Sequence, residues 1–340
     1  MNTSLSTKSH LLPLFMVTFL FLFSCKDSEK KRQDTEIKEE AALTEVPPSE
    51  DLFFKLSLAE WSLHIPIQNG NLDPMNFAEK AHEYGFQGME YVSAFYQPDF
   101  KNADDPKAAL QKILDTLKAK SEKYNLRNVL IMVDNEGELA TSDEKERNSA
   151  VENHKKWIDA AQFLGCHSIR VNLFGSNEAQ EWKNNSVKAL QQLCDYASPK
   201  GVNVLVENHG YLSSNAELLA QVMEAVNRPS VGTLPDFGNF CLKREGGARW
   251  DAKCIEEYPR YKGVKQMMPY AKGVSAKSYN FNDQGEETTI DFGKMLQIVK
   301  DAGYDSYIGV EYEGEEMPPK EGIMATKELL IEKAKQVTAQ

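Results

Sequence analysis

The sequence has little basic charge and no glycine-rich phosphate-binding motif. It contains 39 Lys and Arg residues against 51 Asp and Glu residues, which gives a formal net charge of −12. Proteins that bind nucleic acid need a basic face for the phosphates, so this charge argues against nucleic acid as a partner. No GxGxxG motif follows a predicted strand, which argues against an open doubly wound sheet. A small neutral ligand fits these absences better.

Cysteine is also scarce, with five in 340 residues and no CxxC pair. Cys25 lies at the end of an apolar run and is discussed below. The other four have no spacing typical of a disulfide framework, so we expect mostly buried, small apolar side chains. If the chain is exported and one disulfide forms, the favoured pair among Cys166, Cys194, Cys241 and Cys254 is Cys241 with Cys254.

The first 25 residues have the pattern of a lipoprotein signal peptide. Lys8 precedes an apolar run from Leu11 to Phe23 that is too short to span a bilayer as a helix. A small residue, Ser24, then precedes Cys25, and we expect Cys25 to become the lipidated first residue. An ordinary secretory peptide with an incidental cysteine is the alternative.

Residues 26–50 are mostly charged or small and cannot bury enough apolar surface to fold, so they predict a disordered tether. Residues 51–340 have ordinary apolar content and predict one folded domain. The chain is therefore expected to be exported and held on a bacterial membrane, periplasmic or cell-surface, through its N-terminal lipid alone.

Short β-branched runs alternate with helical periodicity along the domain, which is typical of parallel βα units. Helix starts are predicted at Asp73-Pro74, Asp143, Asn215 and Asp291. Eight such units close most economically into a (β/α)₈ barrel, a TIM barrel of the α/β class. The predicted strands are Lys55–Leu63, Gln87–Val92, Asn128–Val133, Ser168–Leu173, Asn203–Glu207, Val231–Pro235, Gly273–Ser278 and Tyr307–Tyr312.

Three predicted strands have a carboxylate at their last residue or one residue from it. Glu207 and Glu311 each follow a buried apolar run, and Asp236 follows Leu234-Pro235. Strand ends meet at the mouth of such a barrel, where three unpaired acids would repel one another unless they share a cation. The alternative is a salt bridge from each acid to a Lys or Arg on a neighbouring strand.

At these residues the chain resembles the xylose isomerase-like TIM barrel family, the sugar phosphate isomerase/epimerase group. The resemblance implies a divalent metal, most often Mn²⁺, held by Glu207, Asp236 and Glu311. The family places a histidine on the seventh strand as fourth ligand, whereas this chain has Ser275 there. A weakened metal site is therefore expected, with a metal-free site centred on Lys277 as the alternative.

The resemblance also implies a keto sugar substrate and isomerase or epimerase chemistry through a metal-stabilised enediolate. Glu207 and Glu311 would act as acid and base, and Lys277 is the third predicted catalytic residue. For Trp61 the alternative to a contact with the sugar is packing at the barrel rim. For Glu90 the alternative to a contact with the sugar is an ion pair with Arg170. The predicted substrate-binding residues are His64, Glu90, Asn172, His209 and Asn239.

Three other activities compete with this one. A keto-glycoside lyase would use the same enolisation to expel a group two carbons from the carbonyl. A non-catalytic sugar-binding lipoprotein would account for the missing histidine. A DNA-repair endonuclease on the same barrel needs a set of histidines that binds three zinc ions. This chain lacks such a set, and its acidic charge does not suit DNA. A homo-oligomeric state is left open.

Overall fold

The computed structural model describes residues 52–339. The predicted signal peptide, Cys25 and the tether lie outside these residues. The described part of the chain forms ten strands: β1 (Lys55–Ala59), β2 (Gly88–Val92), β3 (Arg127–Met132), β4 (Ser168–Val171), β5 (Asn203–Glu207), β6 (Val231–Leu234), β7 (Cys241–Arg244), β8 (Cys254–Glu257), β9 (Val274–Ser278) and β10 (Tyr307–Tyr312).

One or two α-helices follow each barrel strand, and the β7–β8 hairpin lies between β6 and its helix. The α-helices are α1 (His64–Gln68), α2 (Phe77–Glu83), α3 (Ser93–Lys101), α4 (Pro106–Lys123), α5 (Glu144–Leu164), α6 (Ala179–Ala197), α7 (Ala216–Val226), α8 (Arg260–Met267), α9 (Phe292–Asp301) and α10 (Pro319–Thr338). Within the described residues, none of these helices is both long and apolar enough to cross a bilayer.

The eight strands other than β7 and β8 form one parallel sheet in the order β6-β5-β4-β3-β2-β1-β10-β9. Its two edge strands approach each other, because parallel bridges join Thr233 to Ala271 and Asp236 to Ser275. The backbone N–H of Ser275 donates to the carbonyl of Pro235 at 2.9 Å. These contacts curl the sheet into the TIM barrel that the βα alternation predicted.

Side-chain alternation divides the core into two parts. A large cluster of buried apolar residues lies between the strands and the surrounding helices. A smaller cluster, which includes Leu130, Met132, Leu205 and Leu234, points the other way and fills the barrel interior. Leu205 has the same parity as Glu207, and Leu234 the same parity as Asp236, so both acids continue interior rows towards the mouth.

The predicted helix starts are confirmed by their caps. Asp143, Asn215 and Asp291 each accept a hydrogen bond from the backbone N–H three residues later, which satisfies a free donor at the helix end. Asp73 also caps, but Pro74–Asn76 form a 3₁₀ turn before α2 begins at Phe77.

Two features differ from the prediction. The first strand ends at Ala59 rather than Leu63, because Glu60–Leu63 turn into a 3₁₀ segment. The hairpin of β7 and β8 was not predicted, since its strands are short and largely exposed and lack the apolar alternation of a buried strand. A disulfide joins Cys241 to Cys254 across this hairpin, the pair the sequence favoured, and Cys166 and Cys194 are free and buried.

Candidate active site

Three carboxylates meet at the carboxyl end of the barrel. Glu207 is the last residue of β5, Asp236 lies two residues after β6, and Glu311 is the penultimate residue of β10. Each offers an oxygen, and the three oxygens lie within 4.8 Å of one another. All three side chains are buried. The structure thus brings together the acids that their strand-end positions singled out.

Ser275 lies between two of these acids. Its hydroxyl oxygen is 2.7 Å from Asp236 Oδ2 and 2.7 Å from Glu311 Oε2. A hydroxyl group donates one proton, so the second contact requires a proton on the carboxyl group. The other oxygen of Asp236 accepts hydrogen bonds from the backbone N–H groups of Gly238 and Asn239, at 2.8 and 2.7 Å. These bonds fix the orientation of Asp236.

Glu207 faces an arginine on the neighbouring strand. Arg170 Nε lies 2.8 Å from Glu207 Oε2, an ionic contact outside hydrogen-bond geometry. The same guanidinium donates through Nη1 to Asp134 Oδ1 at 2.9 Å. Asn239 Nδ2 donates to Glu207 Oε1 at 3.0 Å. Arg170 therefore shares its charge between two acids.

Lys277 is paired with one acid in β10 and with another just after it. Its ammonium nitrogen lies 3.2 Å from Glu311 Oε1 and 3.0 Å from Glu313 Oε2. Burial disfavours the ammonium form, but the charges of Glu311 and Glu313 raise the pKa of Lys277 well above its ordinary value. Lys277 is therefore charged at neutral pH. The indole N–H of Trp61 also donates to Glu313.

Burial raises the pKa of two of the central acids, Glu207 and Asp236. It raises the pKa of Glu207 to about 7, against the opposing charge of Arg170. It raises the pKa of Asp236 to about 8, against the opposing charge of Lys277. Both acids therefore retain protons in a pH range in which exposed carboxyl groups have lost them.

The acids outnumber the cations that contact them. Asp236 has no ion pair among the described residues. Clustered, buried oxygen ligands short of positive charge are the donor set that a hard divalent cation takes, so Glu207, Asp236 and Glu311 fit a metal site. The network contains the acids Asp134, Glu207, Asp236, Glu311 and Glu313 and the cations Arg170 and Lys277.

A cavity of about 800 Å³ opens above this network. Glu311 and Lys277 line it directly, whereas Glu207 and Asp236 lie behind the lining residues. Of the predicted substrate-binding residues, four contribute to the lining, namely His64, Asn172, His209 and Asn239.

A hydrogen-bonded chain fixes the tautomer of His209. Asn172 Nδ2 donates to Asp134 Oδ1 at 2.6 Å, so the Asn172 oxygen is free to accept. That oxygen lies 2.7 Å from His209 Nδ1, which must then be the donor. Burial lowers the pKa of His209 to about 4, with Arg170 and Lys277 acting in the same direction. The neutral ring therefore presents Nε2 as an acceptor.

The remaining predicted contacts lie in different surroundings. His64 is held by its Nδ1, 2.7 Å from the carbonyl of Trp61, and its ring stacks on Trp61 at 4.7 Å. Glu90 is buried and does not line the cavity; it accepts from Ser57 Oγ at 2.6 Å. It makes no ion pair with Arg170, the alternative considered from sequence. A contact between Glu90 and substrate stays a prediction.

Several residues of the site were not predicted. Asp134, Arg170 and Glu313 lie at or just beyond strand ends, and that position was their only signal in the sequence. Tyr279 lines the cavity one residue beyond β9. Trp250 comes from the loop of the β7–β8 hairpin, whose approach to the barrel mouth has no sequence signature.

Comparisons with known proteins agree with this fold. Inosose isomerase of Bacillus licheniformis is 24% identical over 204 residues, which cover 56% of this chain and 70% of that protein. The solved IOLI protein, which holds a zinc atom, has a TM-score of 0.61 at 17% identity and covers 84% of this chain and 100% of its own. The 3-keto-D-glucoside 4-epimerase of E. coli has a TM-score of 0.59 at 13% identity over 82% of this chain and 98% of its own.

The family described as xylose isomerase-like TIM barrel matches residues 78–333, most of the folded domain. The proteins similar to this chain include isomerases and epimerases. The family resemblance inferred from the carboxylate motifs is confirmed. This chain belongs to the xylose isomerase-like TIM barrel family.

Proposed function

We propose that this protein is a sugar isomerase or epimerase that acts on a keto sugar, with Glu207 and Glu311 as the acid and base. The observation that carries the proposal is the convergence of the Glu207, Asp236 and Glu311 oxygens within 4.8 Å at the barrel mouth, below a cavity lined by Lys277. The relatives support isomerase or epimerase chemistry, and one of them is named for a keto glycoside.

The chemistry requires one proton to leave and one to return. A glutamate carboxylate takes the proton from the carbon beside the carbonyl group, and the bonding electron pair moves towards the carbonyl oxygen to give an enediolate. A protonated carboxyl group then returns a proton to the same carbon in an epimerisation, or to the neighbouring carbon in an isomerisation. In an isomerisation the hydroxyl proton also passes from the oxygen of the first carbon to the former carbonyl oxygen. Glu311 lines the cavity. A Glu207 oxygen lies within 4.8 Å of a Glu311 oxygen, behind the lining residue Asn239, whose amide donates to Glu207.

The enediolate needs positive charge near its oxygens. The Lys277 ammonium group lines the cavity and is held by Glu311 and Glu313, so it is positioned to face an oxygen that gains negative charge. His209 Nε2 is placed to accept from a sugar hydroxyl. Asn172 accepts from the His209 ring and donates to Asp134, and these two hydrogen bonds hold the ring in place.

A divalent metal ion, with Mn²⁺ as our candidate, would be held by Glu207, Asp236 and Glu311. When bound, it would supply further positive charge to the substrate oxygens. The zinc atom in the IOLI protein supports a metal in this fold. Ser275 stands where the family has a histidine ligand, so we expect a weaker site than in relatives that keep the histidine.

Solvent exchange tests the proposal. Purified protein is incubated with a panel of keto sugars in heavy water, with and without MnCl₂, and deuterium at the carbon beside the carbonyl is followed by NMR. We expect exchange in the unmodified protein and a loss of about 100- to 10,000-fold in Glu207→Gln and in Glu311→Gln. Glu60→Gln is the matched control, because Glu60 is buried but lies outside the cavity. Sugar binding without exchange in the unmodified protein would refute the enzymatic proposal.

A further inference from the structure

The cavity has two chemically different ends. The inner end, next to the carboxylates, contains Lys277, Glu311 and other polar groups. The outer end is formed by Phe174, by Trp250 and by other residues of the hairpin loop between β7 and β8. At about 800 Å³ the cavity lies high in the range of roughly 300–1,000 Å³ typical of pockets for drug-sized ligands. It is larger than a single sugar ring requires.

The outer end is an aromatic wall. The Trp250 ring lies 4.9 Å from the His209 ring and 6.0 Å from the Phe174 ring, centroid to centroid. The Arg249 guanidinium covers Phe174 at 4.7 Å. Trp250 is 39% exposed. An exposed indole at the mouth of a polar cavity is suited to pack on the C–H face of a sugar or on an aromatic ring.

The wall is held in position from three sides. The Cys241–Cys254 disulfide joins the two strands of the hairpin. Tyr211 Oη donates to the carbonyl of Ala248 at 2.6 Å, which ties the loop to the segment after β5. Arg249 forms an ion pair of 2.6 Å with Glu138, on the loop after β3. A wall fixed before the ligand arrives reduces the ordering cost of binding.

His209 connects the two ends. Its Nδ1 bonds to Asn172 in the inner network, while its ring faces Trp250. Beside His209, Gly210 has a φ of +88°, and a Cβ there would lie 3.8 Å from the Trp250 ring. Lys277, His209 and Trp250 line the same cavity, so a ligand that extends from Lys277 past His209 can reach Trp250 within it.

We propose that the aromatic wall formed by Phe174, His209 and Trp250 binds the second ring of a glycoside, so that the substrate is a keto glycoside rather than a free keto sugar. This inference rests on the proposed function for the position of the keto sugar at the inner end. The wall takes a neutral sugar ring or an aromatic aglycone, because its own charged groups are of both signs and Arg249 is already paired.

The test separates binding from catalysis. Calorimetry measures the affinity of phenyl glucoside and of methyl glucoside, neither of which has a carbonyl group to enolise, for the full-length protein and for Trp250→Ala. NMR exchange in heavy water then measures kcat/KM for phenyl 3-ketoglucoside and for 3-ketoglucose. Ile255→Ala is the matched control, because Ile255 is an exposed apolar residue of the same hairpin outside the cavity.

We expect the unmodified protein to prefer the phenyl glycoside, and Trp250→Ala to reduce that preference about three- to tenfold through KM, the scale of one aromatic contact. Trp250→Phe should retain most of the preference, and Ile255→Ala all of it. A preference for phenyl glucoside that depends on Trp250, with no exchange of any keto sugar, would support the aromatic subsite and refute the proposed function. Equal effects of Trp250→Ala on one-ring and two-ring ligands, or no preference in the unmodified protein, would overturn the inference.

Discussion

The contact between Ser275 and two acids links protonation to metal binding at the scale of single residues. Its hydroxyl proton serves either Asp236 or Glu311, and both oxygens lie 2.7 Å away. Without an ion, a second proton must therefore remain on one of the acids, which agrees with the pKa of Asp236 raised to about 8. A divalent ion would replace this proton, so its binding should release protons and strengthen as the pH rises towards 8.

Asp236→Asn should remove the metal site and preserve the local fold. The Asn oxygen can still accept from the N–H groups of Gly238 and Asn239, and its amide can donate to Ser275. We expect Mn²⁺ affinity to fall at least about hundredfold, since loss of even a supporting partner costs about 10- to 100-fold. Isothermal titration calorimetry at pH 7.5 measures this, with Glu138→Gln at the cavity rim as control. Unchanged Mn²⁺ affinity in Asp236→Asn would place the ion away from Asp236, and no Mn²⁺ binding to the unmodified protein would favour the metal-free site centred on Lys277.

At the scale of elements, Glu60 joins the turn after β1 to two neighbours. It accepts from the backbone N–H of Val92 at the end of β2, at 2.8 Å, and from the hydroxyl of Tyr96 in α3, at 2.6 Å. Complete burial raises the pKa of Glu60 from 4.5 to about 8, although these two hydrogen bonds act in the opposite direction. The folded protein therefore holds this proton more tightly than the unfolded chain.

Glu60→Gln should change how stability depends on pH. Between pH 4.5 and about 8 the unfolded chain loses the Glu60 proton while the folded protein keeps it, so the free energy of unfolding falls as the pH rises. The substituted glutamine cannot ionise and lacks this decline, so the stability of the variant relative to the unmodified protein should rise by at most about 1.4 kcal/mol per pH unit. Urea unfolding at pH 5 and pH 8.5 measures it. The same pH dependence of stability in the two proteins would contradict the raised pKa of Glu60. Glu122→Gln, at an exposed glutamate, is the control.

The sequence predicted elements whose pattern is local and missed those that depend on distant contacts. All eight barrel strands were located, because each is a short apolar run, and only the end of β1 was wrong by more than two residues. The three central acids followed from strand parity and the rule that strand ends meet at the mouth. The partner of each acid could not be predicted in this way. Arg170 could reach Glu90 or Glu207, and only the packing of the barrel interior places it against Glu207. The hairpin is polar, and its position over the mouth is set by tertiary contacts.

For the whole molecule, two separate observations bear on its compartment. The first 25 residues have the lipoprotein pattern, and the folded domain contains the Cys241–Cys254 disulfide. Disulfides persist in oxidising compartments and are rare in the cytosol, so the hairpin supports export without reference to the N-terminus. We propose that the protein is exported and anchored by a lipid on Cys25, with the barrel carried on the tether of residues 26–50.

Metabolic labelling tests the lipid anchor, and thiol alkylation tests the disulfide. Cells that express the full chain are grown with an alkyne fatty acid, and we expect label on the unmodified protein, none on Cys25→Ser, and normal label on Cys194→Ser, which alters a buried free cysteine. Thiol alkylation and mass spectrometry should find Cys241 and Cys254 oxidised in the exported chain and reduced when residues 1–25 are deleted, because the barrel then stays in the cytosol. Label that persists in Cys25→Ser would place the lipid elsewhere. Reduced thiols in the unmodified protein would remove the support that the hairpin gives to export.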